Sequence, residues 1–191
     1  PLEGFNLGIA GVKKTPGFGN FLTRKLYTYN AAACVIAYIG SLYGYSSFGE
    51  AANAPRILSL LARNYEETGR AFGYGEDDQR EFAALSKRKF TDKSIDDSVA
   101  RNARDPQRKL AAGERIMGPM ALICENGGDA SALVMTAAAA LIYDADGEEE
   151  WRKLKEEKGF PGILTVLAGL EPQSKLYKRI LMKTGELQTL K

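Results

Sequence analysis

Histidine is absent from this chain of 191 residues, and the absence removes two classes of chemistry. No imidazole can relay a proton near neutral pH, and the commonest metal ligand is missing. Cysteine is scarce: Cys34 and Cys124 are the two present. Both fall in apolar helical surroundings and read as buried, reduced thiols of a cytoplasmic protein rather than as a disulfide. Charge of one sign is also lacking. Twenty-six basic residues nearly balance 24 acidic ones, for a net charge of +2, so there is no electrostatic case for a nucleic-acid partner. No apolar run reaches the ~18 residues of a membrane span without polar interruption, so no membrane partner is expected. No basic leader with a cleavage site opens the chain. It begins at Pro1 without an initiator Met, and we expect it to be part of a longer polypeptide.

Strand alternation and nucleotide-binding loops are lacking as well. Gly17-Phe18-Gly19 begins a GxG, but Leu22 stands where the third glycine belongs and no strand precedes it. If a dinucleotide is used, another domain holds it.

What is there is helix. The length suits a single domain with a proper core. The stretch from about Gly19 to Tyr45, after a Pro16-Gly17 turn, reads as one central helix buried on most sides. Gly40 and Gly44 weaken it near its end. Pro55 suits the first turn of a helix from Arg56 to about Arg70, striped by Ile57, Leu58, Leu60, Leu61 and Tyr65. Glu76 to Lys89 is a third amphipathic helix, with Phe82, Leu85 and Phe90. Ser94-Ile95-Asp96-Asp97 resembles a capping box for a short helix to about Arg101, and Asp105-Pro106 breaks the chain. Helices from Glu114 to Cys124, Ala130 to Tyr143 and Trp151 to Lys158 follow. A Gly159–Gly162 turn then leads to Ile163–Leu170 and Gln173–Leu187. The Glu148-Glu149-Glu150 run reads as acids at a helix start. The fold class is all-α, a compact multi-helix bundle.

Two constellations carry chemistry. In Arg24-Lys25-Leu26-Tyr27-Thr28-Tyr29-Asn30, a lysine and an asparagine five residues apart open the most apolar helix. A lysine in a low-dielectric cleft loses affinity for its proton and can act as a base, and an asparagine beside it can hold an oxygen as charge develops. On an α-helix Lys25, Asn30 and Ala33 share a sector of about 140°, which suggests a carbonyl/alcohol site. The plainer alternative has Lys25 snorkelling from a helix end while Asn30 satisfies a neighbouring backbone group. The second constellation, Arg101-Asn102-Ala103-Arg104-Asp105-Pro106-Gln107-Arg108-Lys109-Leu110 with Arg115 beyond, crowds cations around an Asp-Pro turn. It can serve as a phosphate or carboxylate clamp, or simply as a solvated basic loop.

Together the two segments resemble those of the long-chain polyol dehydrogenases, a zinc-independent family in which a catalytic lysine precedes an asparagine by five residues. The Arg101–Leu110 block, with Arg115 and Pro119, is similar to that family's second substrate segment, most like its mannitol-1-phosphate 5-dehydrogenase branch. The resemblance runs from about Pro16 to Ile180. It implies that residues 1–191 form a helical C-terminal substrate domain, similar to that of 6-phosphogluconate dehydrogenase, preceded by an N-terminal Rossmann domain that binds NAD. No metal is implied. It further implies that Lys25 takes the hydroxyl proton of a polyol or sugar phosphate and that Asn30 stabilises the oxygen. Arg101 and Lys109 would bind substrate hydroxyls or oxyanions, with Arg108 as a nearby candidate for the phosphate. The full enzyme would interconvert mannitol 1-phosphate and fructose 6-phosphate, and the isolated chain would be inactive.

One departure is sharp. The family pattern places a histidine three residues after the asparagine, where this chain has Ala33. A hexuronate reductase of the same superfamily, or a non-catalytic helical binding or assembly module, are the alternative readings. We expect Lys25 and Asn30 to project into an open cleft towards the Arg101–Lys109 segment.

Overall fold

A computed structural model describes residues 18–189. The described residues fold as helices α1 (Phe18–Arg24), α2 (Ala31–Leu42), α3 (Phe48–Asn53), α4 (Pro55–Phe72), α5 (Glu76–Phe90), α6 (Val99–Ala103), α7 (Pro106–Lys109), α8 (Met117–Glu125), α9 (Ser131–Leu141), α10 (Glu149–Val166) and α11 (Lys175–Gln188). A π-helical turn, Lys25–Asn30, joins α1 to α2. No strand occurs among them; one isolated antiparallel bridge pairs Ser47 with Ser98. The all-α expectation holds, and no described helix is long and apolar enough to cross a membrane. The Pro16-Gly17 turn and the first glycine of the GxG lie outside the described residues.

Helix α2 runs through the middle, and its apolar sequence is the reason. Residues Ala31, Ala32 and Cys34–Gly40 are all buried, enclosed by α3, α4, α6 and α9. Alanine-rich α9 lets backbones approach closely, with Ala137, Ala138 and Ala140 fully buried. Gly40 lies inside α2 as a packing residue, because a Cβ there would meet Ala51 Cβ of α3 at 3.0 Å. Gly44, at φ 74°, lies just past the end of α2.

Several expected boundaries shift for identifiable reasons. The single helix expected over 19–45 is broken by the π-turn. The expected capping box at Ser94 does not start a helix. Asp92 instead accepts hydrogen bonds from Ser94 N and Oγ at 2.9 and 2.6 Å, which holds a turn. The short helix begins four residues later, capped by Ser98, whose hydroxyl accepts from Arg101 N at 3.1 Å. Ser47 caps α3 in the same way, so the two bridged serines each start a helix. The break at Asp105-Pro106 is also the start of α7, with Asp105 as its cap and Pro106 in its first turn. Leu85, expected on the apolar face of α5, is 59% exposed. The buried face runs through Gln79, Ser86 and Phe90, and Leu85 falls off it. The turn expected at 159–162 becomes a kink within α10, where Gly159 adopts φ 61°, ψ 174°.

Candidate active site

A cleft of about 970 Å³ opens beside the start of α2. Its floor comes from the π-turn and α2 through Tyr29, Asn30, Ala33 and Cys34. One wall is the α6–α7 segment, with Arg101, Arg104, Arg108 and Lys109. Opposite lie Glu148, Glu149 and Trp151 at the start of α10, and Lys89, Phe90, Asp92 and Asp97 complete the rim. Asn30 therefore faces one space with Arg101, Arg108 and Lys109, which lie 71 to 79 residues later in the chain.

Each basic side chain is held by its surroundings. Arg101 pairs with Asp97 at 2.9 Å, and Arg115 with Glu114 at 3.2 Å. Asp105 organises the turn three ways. Its carboxylate accepts from Arg108 N at 3.1 Å and from Arg108 Nε at 2.5 Å, and its own N–H donates to Glu148 Oε1 at 3.0 Å. It does this at φ 59°, a left-handed conformation that aspartate tolerates better than most residues. Pairing through Nε leaves the outer nitrogens of Arg108 available to an anion.

Lys109 is buried, 6% exposed. Its ammonium donates to the Asn102 carbonyl at 2.6 Å and to the Arg104 carbonyl, and it lies 5.8 Å from the Tyr38 ring centroid. Two of its three N–H bonds are spent on the wall, and the third is available for an oxygen in the cleft. Burial, aided by the Arg115 and Arg108 charges and opposed by Cys34 and Asp105, pulls Lys109 below the ordinary lysine range.

Lys25 is placed differently from expectation. It is exposed and is not among the residues lining the cleft. It opens the π-turn at the solvent end of the buried segment, so this chain alone gives it no low-dielectric surroundings. On the stretch just before it, Phe18, Phe21 and Leu22 are 58, 55 and 49% exposed.

Sequence reading missed the acidic wall and the place of the Cys34 thiol in the cleft. Glu148 reads as an ordinary helix-start acid, and nothing local signals that it meets Asp105, 43 residues earlier. Cys34 is free and buried, Cys124 free and half-buried, which corrects the expectation that both are buried.

Residues 18–185 match the family described as the mannitol dehydrogenase C-terminal domain. The chain belongs to that family. Among its relatives, a mannitol-1-phosphate 5-dehydrogenase of Bacillus pumilus (strain SAFR-032) is 34% identical over 171 residues, covering 86% of this chain and 45% of the relative. The enzyme of the same name from Bacillus licheniformis is 30% identical over 180 residues, 91% of this chain and 48% of the relative. That of Podospora anserina is 31% identical over 181 residues, 91% and 46%. The chain thus spans about half the length of the curated relatives it matches. As a mannitol dehydrogenase C-terminal domain it has no dinucleotide cradle among its described residues. Among the described residues every element is helical, so no phosphate-binding strand–glycine–helix turn forms among them.

Proposed function

We propose that this chain is the substrate-binding half of an NAD-dependent polyol-phosphate dehydrogenase that interconverts mannitol 1-phosphate and fructose 6-phosphate. The observation that carries the proposal is the convergence of Asn30, Arg101, Arg108 and Lys109 on one cleft, in a chain whose curated relatives bear the matching name. Arg108, oriented through Nε by Asp105, offers its outer nitrogens to the phosphate. Arg101 and the third N–H of Lys109 hold hydroxyls along the chain of carbons. Asn30 donates its amide to the reacting oxygen. Lys25, as the free amine, removes the hydroxyl proton and becomes an ammonium. NAD, held by a Rossmann domain outside this chain, supplies the hydride acceptor. That domain has a surface to meet in the exposed Phe18, Phe21 and Leu22 stripe, and closing over it desolvates Lys25. The two free thiols fit a cytoplasmic setting.

In the full-length protein, Lys25→Ala should lower turnover of mannitol 1-phosphate with NAD by roughly two to four powers of ten, the range for losing a general base. Turnover unaffected by that substitution would sink the proposal. A second reading, a non-catalytic helical module, is favoured by one observation: the cleft floor presents the Ala33 methyl where the family pattern has histidine. Tight binding of the polyol phosphate with no turnover under any nucleotide would select it.

A further inference from the structure

The π-turn spans Lys25–Asn30, the same six residues that the lysine–asparagine pair delimits. A π-turn closes its hydrogen-bonded ring over five residues instead of four, is rare, and recurs at functional sites. Here Ala31 N–H reaches back to the Leu26 carbonyl, five residues away. The consequence is angular. In an unbroken α-helix residues 25 and 30 stand about 140° apart, whereas a turn closed over five residues brings them round towards the same side.

We infer that this turn is a register device that swings Lys25 to the Asn30 side of the helix, and that Arg24 and Tyr27 are the positioning residues that hold it. The inference rests on the reading of Lys25 and Asn30 given above.

Three residues hold the turn: Arg24, Tyr27 and Thr28. Before it, the Arg24 guanidinium lies 4.0 Å from the Tyr74 ring centroid and 4.6 Å from that of Phe82, pairs with Asp78 at 2.8 Å and donates to Gln79 Oε1 at 3.3 Å. Gln79 is itself fixed. Its Nε2 donates to the Tyr65 carbonyl at 2.8 Å, and it sits on Gly69, where a Cβ would come within 2.5 Å of Gln79 Cγ. Within the turn, the Tyr27 ring lies on Gly118 of α8 so closely that a Cβ there would stand 2.4 Å from Tyr27 Cζ and hydroxyl. The Tyr27 hydroxyl donates to the Gly113 carbonyl at 3.0 Å. Inside, buried Thr28 donates its hydroxyl to the Arg24 carbonyl at 2.5 Å, an i−4 back-bond of the kind that bends helices.

The competing state is a plain α-helix. Removing the extra residue from the turn would rotate everything before it by about 100° and shift it by about 1.5 Å. Arg24 would leave the Tyr74–Phe82 slot and Tyr27 would leave Gly118. Both contacts fit the π register only, so they select it.

The test is Gly118→Ala in the full-length protein, assayed with mannitol 1-phosphate and NAD beside Lys25→Ala. The added methyl expels Tyr27. Expected are a fall of about 10²-fold in kcat, the cost of misplacing a reacting group by about 1 Å, a KM within about threefold of the parent, and a displaced acidic limb of the kcat–pH profile. The rate of Lys25 acylation should change with it, independently of turnover. Tyr27→Phe keeps the ring on Gly118 and should stay within about threefold in kcat. If Gly118→Ala does not fold, Tyr27→Ala removes the contact without a clash and should give the same pattern. Parent-like kcat, pH profile and Lys25 acylation in Gly118→Ala or Tyr27→Ala, with Lys25→Ala inactive, would overturn the register device alone. An inactive parent, or an unaffected Lys25→Ala, would overturn the reading of Lys25 beneath it.

Discussion

Cys34 and Lys109 line the same cleft, and each acts on the other's ionisation. Burial pushes the Cys34 thiol from 9.0 up to about 11 against the pull of Lys109, Arg115 and Arg108. Burial pulls Lys109 the other way, against Cys34. At neutral pH the thiol is protonated and the floor of the cleft is uncharged at that point.

A pH dependence follows from the thiol. The native state holds the Cys34 proton more tightly than the unfolded chain does, so its contribution to stability is complete below pH 9 and is lost as pH rises through about 11. The loss is roughly 2–3 kcal/mol. Lys109 acts oppositely, gaining stability as pH rises towards 10.5, because its native amine binds a proton less tightly than the unfolded one. In Cys34→Ala the thiolate no longer opposes that shift, so the variant gains at least as much from Lys109 as the wild type does. Denaturant unfolding of both between pH 8 and 11 should therefore show the wild type losing ground to the variant; parallel curves would refute the assignment.

Ala33 is half-buried and lines the cleft three residues after Asn30, so a larger side chain there enters open volume rather than packed core. Ala33→His should raise turnover of mannitol 1-phosphate by about tenfold or more, within the range general acid–base groups contribute, and should add an ionisation near pH 6.5 to the rate profile. Steady-state kinetics across pH decide this. A drop in rate would mean that the cleft is built around a small residue here.

Asp105 caps α7 from a left-handed conformation. Asp105→Ala should cost about 1–3 kcal/mol, from the lost cap and the left-handed backbone together, which for a protein of this size lowers Tm by roughly 2–4 °C per kcal/mol. Asp105→Asn keeps a capping oxygen and tolerates the backbone, and should lose about half as much or less. Calorimetry on the two variants should rank them in that order. Asp105→Ala should also raise the KM for the phosphorylated substrate, since Arg108 loses the carboxylate that orients it.

The apolar run of α2, the glycine and proline punctuation and the spacing of helical stripes determined the all-α class, because burying apolar residues at helical period is a local property of the chain. The Lys25–Asn30 pair and the Arg101–Lys109 cluster were equally plain as patterns of residue type. Tertiary packing decided the rest. Whether 25–30 winds as α or π depends on Gly118 accepting the Tyr27 ring and on Tyr74 and Phe82 enclosing Arg24, contacts 50 to 91 residues apart in the chain. Helical periodicity alone carries no information about them. The meeting of Glu148 with Asp105 and the burial of Lys109 likewise arise only when α6, α7 and the start of α10 come together around α2. A long-range hydrogen bond or a buried charge is set by what the fold brings near it, and the residue's own neighbours in sequence do not say what that will be.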